Sequence, residues 1–247
     1  MSFNIALTGL DAANDDLSVT SNNLANVATV GFKGSRTEFA DLFASTQTGV
    51  SATAVGNGVA VSEVAQQFTQ GNIETTGNNL DLAVSGNGFF ITSNNGALNY
   101  TRDGSFQLNA QGQLVTSEGY AVQPAITIPT GAQTITIGSD GTVSVQLPNQ
   151  TTPTTVGTLQ LANFINPAGL QDIGGNLSVE TAASGPPTVG TPGLSGLGTL
   201  IQGSVEASNV DIVEELVNMI QTQEAYEMNS RAVETTDQML QYGTQNM

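Results

Sequence analysis

The chain has 247 residues, 38% of them apolar, and a mean hydropathy of −0.02. That balance suits a globular or modular protein with a sizeable core rather than a disordered or membrane-embedded chain. Four basic residues, Lys33, Arg36, Arg102 and Arg231, stand against 21 acidic ones for a net charge of −17, which argues against nucleic acid and anionic membrane as partners because phosphate binding depends on clustered Lys and Arg.

Cys, His and Trp are absent. Without Cys there is no disulfide, no thiolate nucleophile and no cysteine-based metal site. Without His the side chain most used for proton transfer near neutral pH is missing, so an enzyme reading starts low. No stretch reaches the roughly 18 apolar residues of a membrane span, so membrane insertion is not expected. The start Met1-Ser2-Phe3-Asn4 lacks the pattern of a cleaved signal, and the expectation is that any export uses a route without one.

The first expected element is a helix over 2–28. Phe3, Leu10, Leu17 and Leu24 recur every seven residues, with Ala6, Ala13, Thr20 and Val27 three further on. Such a repeat makes an apolar seam that a partner helix buries in a left-handed supercoil. Gly31 stands where a left-handed residue commonly closes a helix. The polar run with Asn22, Asn23 and Asn26 is either a fraying last turn or a set of amides that fix register with neighbouring helices. Gly31-Phe32-Lys33 breaks the pattern and leads to Glu38–Phe43, with its aromatic anchors. Residues 46–57, rich in Ser, Thr, Gly and Ala, read as a linker or loop.

Strand signals follow over 80–84 and from Phe89, then near 100–102, 106–108, 121–123, 126–128, 135–137, 143–145 and 159–161. Asn95-Gly96 and Asp140-Gly141 read as type I′ hairpin turns. The stretch 182–198, with Pro186, Pro187, Pro192 and five glycines, is expected to be a tether. A last helix begins after Asp211, whose carboxylate with those of Glu214 and Glu215 faces the positive end of the helix dipole. Ile212, Met219, Tyr226, Val233 and Leu240 continue a seven-residue repeat, and Glu227 and Arg231 are spaced for an ion pair.

The fold class is therefore α+β: long terminal helices forming a coiled-coil layer, with a central antiparallel β-rich domain. The expected division is 1–45 for the N-terminal helical segment, 46–80 for the linker and start of the β region, 81–181 for the β domain, 182–207 for a return segment and 208–247 for the C-terminal helical segment. Both helices are acidic, so they are expected to be ordered by apolar seams and by partners outside the monomer. A β-rich carbohydrate-binding or carbohydrate-processing protein is the alternative of another class. It would need two carboxylates across a cleft, for which Asp81, Asp103 and Asp140 are available, although each also suits a turn or solvated strand.

Three motifs resemble the bacterial flagellar rod and hook protein family. Ser21–Val27 with Gly31-Phe32-Lys33 is similar to its N-terminal signature. Asp81–Phe90 with Tyr100-Thr101-Arg102-Asp103-Gly104-Ser105-Phe106 is similar to its shared β domain. Gln202–Val210, Glu214–Ile220 and Thr235–Leu240 are similar to its C-terminal motif. The length, Gln123–Pro129 and the last helix look most like distal rod members, whereas Met1–Phe43 looks more like hook members. The segment after Phe43 looks shorter than the equivalent stretch of distal rod members, which the family associates with a stiff, straight tube. The resemblance implies a structural, non-enzymatic subunit without cofactors. It implies self-assembly into a helical homopolymer that carries torque, contact with adjacent rod and hook proteins, passage through the flagellar type III export apparatus and residence in the periplasm-spanning rod. Leu10, Leu17, Leu24, Val27, Ile212, Leu216, Met219, Tyr226, Val233 and Leu240 are then the packing positions, and Asn22, Asn23 and Asn26 the register positions.

Overall fold

A computed structural model describes residues 2–44, 55–94, 96–148, 150 and 152–245. The chain divides into two compact units, one of Met1–Val27, Gly34–Gln67 and Val210–Met247, the other of Ala28–Lys33 and Phe68–Asn209.

The first unit holds the two helices, α1 (Ser2–Ala25) and α2 (Ile212–Gln245), and a hairpin of β1 (Ser35–Ala44) and β2 (Val55–Gln66). α1 stops short of Ala28 because its last turn tightens. The Asn26 amide is shared between the carbonyls of Asn22 and Asn23 at 3.1 and 3.2 Å, and Asn26 Nδ2 donates to the Asn22 carbonyl at 3.0 Å. Gly31 therefore does not close the helix. Its positive φ serves a close approach within the second unit, where a Cβ would lie 2.5 Å from the Asp103 nitrogen. α2 starts as expected, with Asp211 Oδ1 accepting the amides of Val213 and Glu214 at 2.8 and 3.3 Å.

The linker or loop expected over 46–57 gives way to a strand at its end, from Val55. Residues 35–44 form a strand, and 55–66, in which Val55, Val59, Val61 and Val64 supply β-branched positions, pair with it antiparallel from Ser35↔Gln66 to Ala44↔Val55. The pairing satisfies backbone groups that a linker would leave to water. The remainder of that expected linker, 46–54, lies outside the described residues.

The second unit is antiparallel throughout. β3 (Ile73–Thr75) pairs with Ser204–Glu206, and β4 (Leu82–Ser85) with Thr199–Gln202. β5 (Phe89–Asn94) is the middle of the largest sheet, flanked by β6 (Ala97–Thr101) and Ala121–Gln123, with Leu161–Asn163 pairing to its start. Both faces of β5 are covered. Phe90 packs with Leu82, Val84, Phe106 and Leu161, whereas Phe89 and Ile91 pack with Tyr100, Ala162 and Phe164. The aromatic pairs Phe90–Phe106 and Tyr100–Phe164 meet edge to face at centroid distances of 5.0 and 4.8 Å.

Three local expectations need correction here. Residues 126–128 form no strand, only a bridge from Thr127 to Gln113. The turn at Asp140-Gly141 is four residues long, closed by the Gly141 amide on the Gly138 carbonyl at 2.9 Å, and only Gly141 has positive φ. The expected tether, 182–198, is instead part of the β unit, as are the strands that follow it. Thr188–Gly190, Thr199–Gln202 and Ser204–Glu206 are strands of the β unit, and the left-handed Gly193, Gly196 and Gly203 turn the chain between them instead of releasing it. Asn95 lies outside the described residues.

Candidate assembly interface

α1 and α2 run antiparallel, and three cross-helix meetings recur at intervals of seven residues. Asn23 Nδ2 donates to Glu215 Oε1 at 2.9 Å, Thr222 Oγ1 donates to Asp16 Oδ2 at 2.8 Å, and a Cβ on Gly9 would stand 2.9 Å from Asn229 Nδ2. Between these lie Ala6, Ala13 and Thr20, all buried. The closing seam of the pair is thus made of small and polar side chains at 6, 9, 13, 16, 20 and 23, which allow close approach without large apolar knobs.

Asn23 is the best-connected residue of this seam. At 3% exposure, it donates to the Ser35 carbonyl at 2.8 Å and accepts the Ser35 amide at 2.9 Å, besides its bond to Glu215. One amide side chain therefore ties α1 to the base of β1 and to the first turn of α2. Burial pushes the Glu215 carboxyl above its ordinary value, and the Asn23 bond opposes that shift.

The residues expected from the sequence fall into three groups. Leu10, Leu17, Leu24, Val27, Asn26, Met219 and Val233 are half-buried, flanking the seam rather than filling it. Asn22, Ile212, Leu216 and Tyr226 are exposed, and the side chain of Leu240 lies outside the described residues. Asn23 alone among them is buried. Gly9, Asp16, Glu215, Thr222 and Asn229 had no place in the apolar repeat, yet their seven-residue spacing is present in the sequence. A search for a recurrent small-or-polar position, rather than a recurrent apolar one, would have found them.

Large apolar side chains face outward instead. Phe3, Ile5 and Leu7 on α1, and Ile212, Val213, Leu216, Val217 and Ile220 on α2, are between 39% and 71% exposed. Because Asn23 meets Glu215 and Gly9 meets Asn229, these residues form two apolar groups near opposite ends of the helix pair.

The second unit holds a buried ionic cluster. Glu206 is fully buried and receives Lys33 Nζ at 2.5 Å and Arg102 Nη1 at 3.2 Å, together with the Gly71 amide at 2.9 Å. Lys33 also donates to the Thr69 carbonyl and Arg102 to the Gly86 carbonyl, at 2.8 and 2.9 Å. The Arg102 guanidinium lies over the Phe89 ring at 5.1 Å. Burial pulls both cations below their ordinary values, and Glu206 opposes the shift.

The three aspartates that a carbohydrate site would need are engaged in local turns. Asp81 accepts Thr76 Oγ1 and Asn78 Nδ2, Asp103 accepts the amide and hydroxyl of Ser105, and Asp140 accepts those of Thr142. Burial raises the Asp103 carboxyl, whereas hydrogen bonds from Thr142 lower the exposed Asp140.

Residues 3–33 match the family described as flagella basal body rod protein, residues 83–145 that of the flagellar hook protein FlgE/F/G D1 domain, and residues 201–246 that of the flagellar basal body rod FlgEFG protein C-terminal. The chain is 49% identical to the flagellar basal-body rod protein FlgG of Buchnera aphidicola subsp. Schizaphis graminum, with 96% of each chain covered. It is 47% identical to FlgG of Caulobacter vibrioides, with 97% of each covered. The flagellar hook protein FlgE of Salmonella typhimurium is 27% identical, over 97% of this chain and 98% of that one.

Proposed function

The chain belongs to the flagellar basal-body rod protein family and is a structural subunit of the distal rod, and from that premise we propose how its own residues build the tube. The two helices pair within the subunit along the small and polar seam and meet neighbouring subunits through the outward apolar residues, so that a coiled-coil layer forms only in the polymer. The observation that carries this is the contrast between the two surfaces. Residues facing inward at the seam are Ala, Gly, Thr, Asn and Asp, whereas Phe3, Leu7, Leu216 and Ile220 remain in water.

The magnitude is sufficient. Burying one Val, Leu, Ile or Phe side chain contributes about 1.5–3 kcal/mol, and eight such residues are outward on the two helices. Neighbouring copies of the chain and the adjacent rod and hook proteins are the proposed partners, with torque passing along the layer across the periplasm. Delivery through the type III export apparatus is part of the same proposal. A chain without cysteine has no disulfide to reduce before it passes unfolded.

Electron microscopy of purified protein under assembly conditions tests the reading, with tubes as the expected product. Leu17→Asp and Val233→Asp should each leave the β unit folded and abolish tubes, because a carboxylate at either half-buried position would be desolvated in the packed layer. Normal tubes from both variants would refute the assembly surface.

A further inference from the structure

The three regions that carry the family match each contribute one charged residue to the buried cluster: Lys33 from the first, Arg102 from the second and Glu206 from the third. The first and last of these, Lys33 and Glu206, also stand at or near points where the chain leaves the β unit. Lys33 ends the segment Ala28–Lys33, and Glu206 stands three residues before Asn209, the last residue of that unit. Further bonds gather around the same place. The Gly31 amide donates to the Glu206 carbonyl at 2.7 Å, and Asn209 Nδ2 donates to Thr69 Oγ1 at 2.9 Å.

We propose that the Lys33–Glu206–Arg102 cluster is an assembly clamp: it fixes to the β unit, at one place, the chain segments that continue into α1 and α2, so that the two helices start from anchored ends when they pair and meet neighbours. The proposal rests on the rod-subunit reading for its consequence in assembly, but the clamp itself is a property of the single subunit. Its rationale is entropic. Ala28–Lys33, which joins α1 to β1, is held to the β unit without forming a strand there, and losing the Lys33 anchor would loosen this connector. Ordering it would then cost the conformational freedom of every loosened residue.

Division of labour within the cluster makes the idea testable. Two cations share one carboxylate, so either cation can be removed without leaving Glu206 unpaired. Lys33 carries the N-terminal segment. Arg102, between the Gly86 carbonyl and the Phe89 ring, braces Glu206 against the sheet. Lys33→Met removes the anchor and leaves a charge-balanced pair, whereas Arg102→Met removes the brace and leaves the anchor.

Hydrogen exchange on the dilute full-length subunit reads the clamp directly. In Lys33→Met the Gly31 amide should exchange about 100-fold faster, as expected when a buried ionic contact is broken, while amides of the pair Val205↔Glu74 keep their rates. In Arg102→Met, Gly31 and those strand amides should shift together. The concentration at which tubes first form should rise about tenfold for Lys33→Met. Equal acceleration of Gly31 and the strand amides in Lys33→Met would make the cluster an ordinary core element and overturn the clamp. A loosened Gly31 with an unchanged tube threshold would overturn its role in assembly. Wild-type protein that forms no tubes would instead count against the rod reading, with the exchange result standing by itself.

Discussion

Replacing Asn23 with Ala removes three hydrogen bonds at once, two to the Ser35 backbone and one to the Glu215 carboxylate. A neutral bond contributes about 0.5–1.5 kcal/mol net, and one to a charged group about 1.5–3 kcal/mol. Ser35 and Glu215 are half-buried, so water recovers part of the loss and about 2 kcal/mol remains, or roughly a 30-fold change in an equilibrium constant. Exchange of the α1 amides near Asn23 and of the Ser35↔Gln66 end of the hairpin should accelerate by that factor, and the tube threshold should rise with it. Asn22 is exposed and its side chain accepts one long bond among the described residues, from Asn26 at 3.5 Å, so Asn22→Ala should change both by about twofold or less. Asn23→Asp adds a sign to the test. At neutral pH it sets a second carboxylate against Glu215, whose pKa burial already raises. The native state of this variant then binds a proton at higher pH than the unfolded chain, so its stability deficit should shrink as pH falls through that raised value. Equal behaviour of Asn22→Ala and Asn23→Ala, or a deficit in Asn23→Asp that grows on acidification, would refute the role given to Asn23.

Ile220→Ser should leave the melting temperature of the subunit within about 1 °C, since this exposed side chain packs on nothing that the change removes, and should raise the tube threshold about tenfold in a sedimentation assay. The two helices carry nine carboxylates and one cation, so raising the salt from 0.01 to 0.1 M, which shortens the Debye length from about 30 to about 10 Å, should lower the threshold several-fold; a rise would show that attraction between charges holds the layer together. Asp103→Asn keeps an oxygen for Ser105 but cannot ionise. Because burial raises the native pKa of Asp103, its ionised form is a cost above that raised value and the cost fades on acidification. The variant should therefore be the more stable protein at pH 7, and its advantage in thermal melts should shrink as pH falls towards the ordinary carboxylate range.

The helices, the β-rich middle and the Asp211 cap were legible because each has a local cause: a seven-residue period, short alternating runs and a carboxylate one residue before the helix. Local rules also misled. β2 was hidden because Gly56, Asn57, Gly58 and Ala60 dilute its valines, and what makes it a strand is its pairing with β1, not its own propensity. The run 182–198 departs from its local signals for a related reason. Its glycines suit chain breakers, whereas left-handed glycines here and at 203 let strands of three or four residues reverse and pair with segments more than 20 residues away in sequence. The assembly seam was legible in period but not in phase. Leucines at 10, 17 and 24 drew attention to the stripe that flanks the helix pair, and the stripe at 9, 16 and 23, one residue earlier, closes it.

That phase offset bears on what the proposed assembly surface leaves for neighbouring subunits. Had the helices paired through Leu10, Leu17 and Leu24 against Ile212, Met219 and Tyr226, the strongest apolar surface would have been consumed inside the monomer, and assembly would have had to rely on what was left. Closing the pair with Gly9, Asp16 and Asn23 instead holds the helices together through bonds of about 1 kcal/mol each, and keeps the large side chains for contacts that exist only in the polymer. Acidic residues on the same helices then act against premature association, because at low salt two approaching copies repel before their apolar faces touch. Under the proposed assembly, the arrangement separates two functions along one helix surface: polar, geometrically specific bonds set the pairing within a subunit, and apolar area sets the affinity between subunits.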